Sequence, residues 1–284
     1  MKSLTENIRS FSHGTQPFVE AITDVNIKQD MAGNSWFWVG RFTSEGHTLN
    51  FMYHVSVLGM KHIPVKMINS VLSITDETGK CYHHEDRFYR AKRGQVANNG
   101  LQIRTERDTV EGDLDAMHIA LEGKKYPVQG MVWFDRQFAG IPKGKTLKGG
   151  YNCKWVWMDI HFDNDDDFIS LFGVTALDTG KENCWATVLH NDGTQASAGV
   201  NPMVTTAFDI YESPETGMKY PTAWKVVIPE WHCDLMVKSI MKEQEIVSPD
   251  VAGRKYEGAC RITGIYKGKE VTGYCCLELV GGWN

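Results

Sequence analysis

Two stretches of the chain concentrate side chains able to move protons. Met131-Val-Trp-Phe-Asp-Arg-Gln-Phe138 sets Trp133, Asp135 and Gln137 on one face of a strand. Phe134, Arg136 and Phe138 fall on the other face, because successive strand residues point to opposite sides. Trp155-Val-Trp-Met-Asp-Ile-His161 groups Trp155, Trp157, Asp159 and His161 opposite an apolar face of Val156, Met158 and Ile160. Carboxyls walled by aromatic rings suit proton transfer, since burial beside a second acid raises one pKa until that group holds a proton near neutrality. The sequence therefore predicts Asp135 and Asp159 in one pocket as the proton-handling pair. His161 is expected as a second base or orienting group, and Arg136 as an anchor for an anion. Trp133, Trp155 and Trp157 are the expected walls; Gln137, Phe138, Tyr53 and Glu278 complete the substrate-binding set. Arg136 has the opposite parity to Asp135, so both reach one cavity only through a bulge or at a seam. A solvated face is the competing reading of the second stretch, but paired Trp there would leave much apolar area wet.

Other clusters carry less chemistry. His83-His84-Glu85-Asp86 has metal-binding residue types, yet neighbours on a strand diverge, and a solvated loop is the expectation there. Asp113, Asp115 and His118 are dispersed and read as structural. Asn164-Asp-Asp-Asp167 lacks the glycine and distal glutamate of a calcium loop and reads as a hairpin turn. The chain holds no G-x-S-x-G, H-E-x-x-H, P-loop or dinucleotide fingerprint. The expectation is a protein with no organic cofactor and no metal.

The elements that must position these residues read as strands almost throughout. Leu49–Val57, Ser70–Ile74 and Leu101–Thr105 are short runs rich in β-branched and aromatic residues, bounded by turn-formers such as Asp76-Glu-Thr-Gly79. Pro17 to Asp24 is the best helix candidate; Asp234 to Glu245 is either a second or a strand followed by a turn. An internal repeat organises the chain. Trp36-Phe-Trp38, a turn at Ser44-Glu-Gly46 and Leu49…Val55 recur ungapped as Trp155-Val-Trp157, Asp163-Asn-Asp165 and Phe168…Val174. Val128-Gln-Gly130…Phe134-Asp135 matches Val271-Thr-Gly273…Leu277-Glu278. Duplication of one β unit explains this, with chance similarity between hairpins as the alternative. The expected domains are 1–143 and 144–284, joined within the Gly- and Lys-rich stretch 140–150.

Composition agrees with a folded protein. The 284 residues are 42% hydrophobic and 23% charged, and nine Trp, ten Tyr and twelve Phe suit pleated surfaces and apolar pockets. A net charge of −5 without a long basic run gives no reason to expect a nucleic-acid partner. The polar start, Met1-Lys-Ser-Leu-Thr-Glu-Asn7, does not read as a signal peptide, and no stretch approaches the about 18 apolar residues of a membrane span. Seven cysteines without C-x-x-C spacing read as free thiols of a cytoplasmic protein. Self-association into a homo-oligomer is compatible with the sequence.

At these residues the chain resembles the lipocalin-like hydratase or AttH-like superfamily, which includes bacterial carotenoid hydratases, fungal kievitone hydratase, pericyclases of the Diels–Alderase type and survival-factor-like proteins. The marks are Val128–Phe138, Trp155–Asp159, Tyr220-Pro-Thr-Ala-Trp224, Tyr256-Glu-Gly and Val271-Thr-Gly-Tyr274…Glu278. The resemblance implies an all-β fold of two lipocalin-like β-barrel halves. It also implies hydration, dehydration or cyclisation of isoprenoids, polyketides or flavonoids without an organic cofactor. Asp135 matches the family Asp, whereas Arg136 stands where the hydratases have His and Phe138 where they have Trp. Arg is permanently protonated and a poor proton shuttle. The expected function is a hydro-lyase or isomerase acting on a hydrophobic or aromatic natural product. A non-catalytic carrier of such a molecule is the alternative, and an interaction scaffold a third reading.

Overall fold

The β-branched and aromatic runs fold as read. The computed structural model describes residues 24–28, 31, 33–60, 63–92, 94–97, 100–113, 117–121, 129–139, 153–248 and 254–283. Among these, the regular elements are β-strands, apart from two 3-10 turns, Val204–Thr206 and Pro229–Trp231, and a single helical residue at Asp24. The remainder of the predicted Pro17–Asp24 helix and the join at 140–150 lie outside the described residues. No helix among the described residues is long and apolar enough to cross a membrane. The chain divides into two compact units, one within Met1–Ile74 and His84–Lys148, the other within Thr75–His83 and Gly149–Asn284.

β1 (Gly33–Ser44), β2 (His47–Met60), β3 (Ile63–Asp76), β4 (Cys81–Arg90) and β8 (Gln129–Ala139) form an antiparallel sheet of order β4-β3-β2-β1-β8, which belongs to the first unit except for Thr75–His83 at the end of the β3–β4 hairpin. A three-stranded sheet joins β5 (Leu101–Arg104), β6 (Thr109–Gly112) and β7 (Met117–Ala120). The β1–β2 turn is Glu45-Gly46, both with positive φ (49° and 82°), the backbone that suits the twist of a two-residue hairpin. Trp36, Trp38, Tyr53, Val55, Val57, Ile68, Ile103 and Val110 pack as this unit's core. Inside it lies a polar knot, in which Ser70 Oγ donates to Asp108 Oδ2 at 2.9 Å and Tyr53 OH does so at 3.4 Å. His83–Asp86 is strand β4 rather than the expected loop, because it pairs with β3; Asn69 there donates to Asp86 at 2.6 Å.

The second unit is one ten-stranded antiparallel sheet, ordered β12-β11-β10-β9-β18-β17-β15-β14-β13, with β16 beside β17. Its strands are β9 (Cys153–Phe162), β10 (Phe168–Ala176), β11 (Glu182–Leu189), β12 (Gln195–Gly199), β13 (Ala207–Glu212), β14 (Lys219–Ile228), β15 (Cys233–Ser239), β16 (Glu245–Ile246), β17 (Lys255–Tyr266) and β18 (Lys269–Val280). Asp234–Glu245 is thus a strand followed by a turn. Val156, Met158, Ile160, Ile169 and Leu171 meet Trp224, Leu235, Ile262, Leu277 and Leu279 in its core.

None of the three sheets closes on itself in the described residues: β4 and β8, and β12 and β13, remain sheet ends. The glycines of the repeat keep one role in both units. A Cβ on Gly130 would lie 2.1 Å from the Arg41 carbonyl of β1, and one on Gly273 would lie 2.0 Å from the His161 carbonyl of β9. The Trp pairs do not. Gly130 pairs with Phe42 and Gly273 with Phe162, so four residues earlier Trp38 corresponds to Met158, not to Trp157. A one-residue slip moves a side chain to the other face. Trp36 and Trp38 therefore sit in a core, whereas Trp155 and Trp157 lie opposite one.

Asn164–Asp167 is the turn between β9 and β10, and it is pinned from inside. Asp167 accepts from His190 Nδ1 at 2.7 Å, Tyr266 OH at 2.7 Å and Lys267 Nζ at 2.5 Å. Burial works to raise its pKa but is outweighed by these three donors, so it lies below the ordinary carboxylate value. The unfolded chain therefore binds this proton more readily. The stabilisation is present above about pH 4 and is lost as pH falls through the folded value. Asp167→Asn should cost about 2 kcal/mol at neutral pH and flatten the acid limb of stability, as checked by urea unfolding at stepped pH.

Candidate functional site

The pleat of β9 sorts its side chains into two sets, and both are covered. Val156, Met158, Ile160 and Phe162 enter the core, while Trp157, Asp159 and His161 point the other way. Asp159 and His161 are each 2% exposed, which removes the solvated-face reading. Cross-strand pairing extends this second face as rows across the sheet. Asp159 pairs with Ser170 on β10 and Cys276 on β18; Trp157 pairs with Phe172 and Glu278; His161 pairs with Phe168 and Tyr274. On β17, Glu257 lies beside Glu278.

The acid and the imidazole are joined. His161 Nε2 lies 3.1 Å from Asp159 Oδ2, and the Cys276 backbone N–H donates to Asp159 Oδ1. The ring of His161 stacks on Tyr274 with centroids 4.8 Å apart and meets the edge of Phe168 at 5.2 Å. Gly273 makes this possible by letting β18 approach β9 beside His161. The Nδ1 atom of His161 is buried without a hydrogen-bond partner in the described residues. With its proton on Nε2 held toward Asp159, the imidazole presents a lone pair at Nδ1, the arrangement of an oriented base.

A second set of charges continues the row. Lys255 Nζ lies 2.6 Å from Glu257 Oε1 and 3.7 Å from Glu278 Oε1. The Cys276 thiol donates to Glu257 Oε2 at 3.5 Å. Burial, opposed by Lys255 and assisted by Glu278, pushes the Glu257 carboxyl up to about 8. One ammonium cannot neutralise two carboxylates away from water, so the carboxyl pair keeps a proton near neutrality. Aromatic surface lies alongside: Trp157 donates from Nε1 to Ser170 at 3.0 Å, and Phe172 stacks on Trp185 at 5.2 Å.

Of the residues expected at the site, Trp155, Trp157, Asp159, His161 and Glu278 share this face of the second unit. Tyr53, Trp133, Asp135, Arg136, Gln137 and Phe138 belong to the first. There, Asp135 is half-buried and accepts from the Arg136 N–H at 2.7 Å, Trp133 is half-buried, and Gln137 is exposed. Tyr53 is a core residue of the Asp108 knot, not part of a binding wall. Arg136 is also reassigned. Its five N–H donors meet five acceptors: the carbonyls of Asp24, Asn26, Ser35 and Gln137, and Asn34 Oδ1. Its guanidinium lies 4.0 Å from the Trp36 ring and 4.3 Å from that of Phe138. It clamps the chain entering β1 and has no donor left for an anion. Lys255, Glu257 and Cys276 were missed by sequence reasoning; the signal was the parity of Lys255-x-Glu257 and Cys276-x-Glu278.

Fold and site define an all-antiparallel β protein with a buried acid–imidazole pair opposite the core of its second sheet. The AttH-like family model matches residues 109–282, and the chain belongs to that family. It is 26% identical over 159 residues to the dehydratase asqC of Emericella nidulans, covering 54% of this chain and 43% of that one. With kievitone hydratase of Fusarium solani subsp. phaseoli the identity is again 26% over 159 residues, covering 54% and 41%. The match thus spans less than half of each relative. Among solved structures, an AttH protein of Nitrosomonas europaea aligns with a TM-score of 0.74 at 17% identity, covering 93% of this chain and 97% of that one. Kievitone hydratase of Nectria haematococca aligns at 0.65 and 16%, covering 94% of each. At these identities the structures establish the fold.

Proposed function

We propose that the protein is a hydro-lyase, adding water to or removing it from a hydrophobic or aromatic natural product, without an organic cofactor. The observation that carries this reading is the buried Asp159–His161 pair with an unpartnered ring nitrogen, set on an aromatic face. Dehydration needs a base to take a proton from carbon and an acid to protonate the departing hydroxyl; hydration needs the reverse. His161, oriented by Asp159, supplies the base, and the aromatic rings favour a flat unsaturated substrate and a developing positive charge. The naming of two relatives as dehydratase and kievitone hydratase supports the same chemistry. The two units are further inferred to descend from one duplicated lipocalin-like β unit, split near residues 143 and 144. The matching roles of Gly130 and Gly273 support that inference.

The test is incubation of the purified protein with kievitone and a panel of hydroxylated and prenylated aromatic compounds, read by mass spectrometry for gain or loss of one water. Enzymatic change in at least one compound is expected. Binding of panel compounds without any conversion would replace this reading with carriage of a hydrophobic ligand, for which Trp157, Phe172 and Trp185 would supply the contact surface.

A further inference from the structure

Three buried carboxyls on one sheet face require more than a single acid–base pair. Asp159 and Glu257 stand two strands apart, on β9 and β17, and Cys276 on β18 touches both. Its backbone N–H donates to Asp159 and its thiol to Glu257. Lys255 is drawn to Glu257 and Glu278 together. Glu257 has a fully buried side chain, and Lys255 and Glu278 are 10% and 9% exposed. Among the described residues, the segment beside β17 engages its own charge elsewhere: the Gln244 carbonyl accepts the Glu257 N–H, and Glu245 of β16 is engaged by Thr216 and Tyr220. A charged lysine and two carboxyls packed out of water stabilise a fold less well than apolar residues of similar size. Their placement one residue from the Asp159–His161 pair points to use in the reaction.

We propose that Glu257 is a positioning residue for the reaction. Paired with Lys255 beside Glu278, and linked to Asp159 through Cys276, it stores the proton that the Asp159–His161 pair must exchange in each turnover. The inference rests on the reading of Asp159 and His161 as the reacting pair. In dehydration, the C–O bond breaks as the hydroxyl takes a proton from an acid, and water leaves. His161 takes the proton from the neighbouring carbon, whose C–H electrons form the double bond. The pair then carries one proton too many and the acid one too few. A carboxyl that is protonated near neutrality on the same face restores both in turn, giving its proton to the spent acid and then taking back the one that His161 holds. In hydration the sequence reverses. Lys255 matters because it sets how readily Glu257 gives the proton up, and Glu278 because it opposes the release of that proton.

The experiment follows Glu257 in the full-length protein with and without a substrate. With glutamate side-chain carboxyls labelled with carbon-13, NMR should show one resonance titrating near pH 8 in the wild type. That resonance should be absent in Glu257→Gln and shifted in Cys276→Ser. Glu257→Gln preserves size and hydrogen-bonding shape; if it fails to fold, Cys276→Ser and Lys255→Met in the wild-type background identify the resonance by its shift. With the panel compound that turns over, folded Glu257→Gln should lose the basic limb of the pH–rate profile and about 10-fold or more of the rate at its optimum. Titration of Glu257 in the ordinary carboxylate range, or an unchanged pH–rate profile in Glu257→Gln, would overturn the proposal. Full activity in Asp159→Asn with the pH 8 titration intact would instead remove the underlying reading of the reacting pair, and the two failures are distinguished.

Discussion

Asp159→Asn is expected to lower the rate of water addition or removal by about 10²–10⁴-fold while leaving the melting temperature within a few degrees of the wild type. Asparagine retains an oxygen for the Cys276 N–H, so the backbone contact between β9 and β18 survives. What changes is the atom facing His161. An amide nitrogen there donates where the carboxylate accepted, and the imidazole must answer with an unprotonated Nε2. Its proton moves to Nδ1, the position that the proposed reaction needs free to take one from the substrate. The base is thereby placed in the wrong tautomer without disturbing its ring, which Tyr274 and Phe168 still hold. Steady-state kinetics beside a thermal melt check the result. A folded variant with near wild-type turnover would show that the pair is structural.

Arg136→Ala is expected to destabilise the first unit by about 3–5 kcal/mol. Four backbone carbonyls lose a donor together, Asn34 Oδ1 is left with the Lys28 N–H alone, and Trp36 and Phe138 lose the plane between them. Burial lowers the guanidinium pKa to about 10, against the pull of Asp24 and Asp135, so the clamp remains charged throughout the neutral range. Lysine has three donors on a point charge rather than a planar fork of five, so Arg136→Lys should recover less than half of the loss. Urea unfolding followed by tryptophan fluorescence and by far-ultraviolet circular dichroism measures both variants. A cost below about 1 kcal/mol for alanine would return Arg136 to the surface and reopen a ligand-binding role.

How far the site could be read from sequence depended on the range of the contact. The alternation in Trp155–His161 placed Asp159 and His161 on one face because parity is local to a strand. The Asn164–Asp167 turn and the Glu45-Gly46 hairpin were legible for the same reason. Glu257 and Lys255 became part of the site only through the strand order β9-β18-β17, a pairing that no local pattern encodes. Arg136 was misassigned because its partners lie in residues 24–35, about a hundred positions earlier. The Trp repeat misled in a different way. It is ungapped in the sequence, yet counted from Gly130 and Gly273 it falls one residue out of step, and in a sheet one residue separates a core from the face behind it.

The burial of β9 on both faces also sets a timescale. Its residues 156–162 are all buried, and β10 and β18 occupy both its hydrogen-bonding edges. Amide protons in such a strand exchange with solvent only when the surrounding sheet opens as a cooperative unit, so those of Met158 to His161 should be among the slowest in the chain. The acid and the imidazole therefore ride on the part of the sheet that fluctuates least. On the proposed function, any adjustment to differently shaped molecules would fall to β11 and β12, at the end of the sheet where Thr187 and Ser197 pair, rather than to β9.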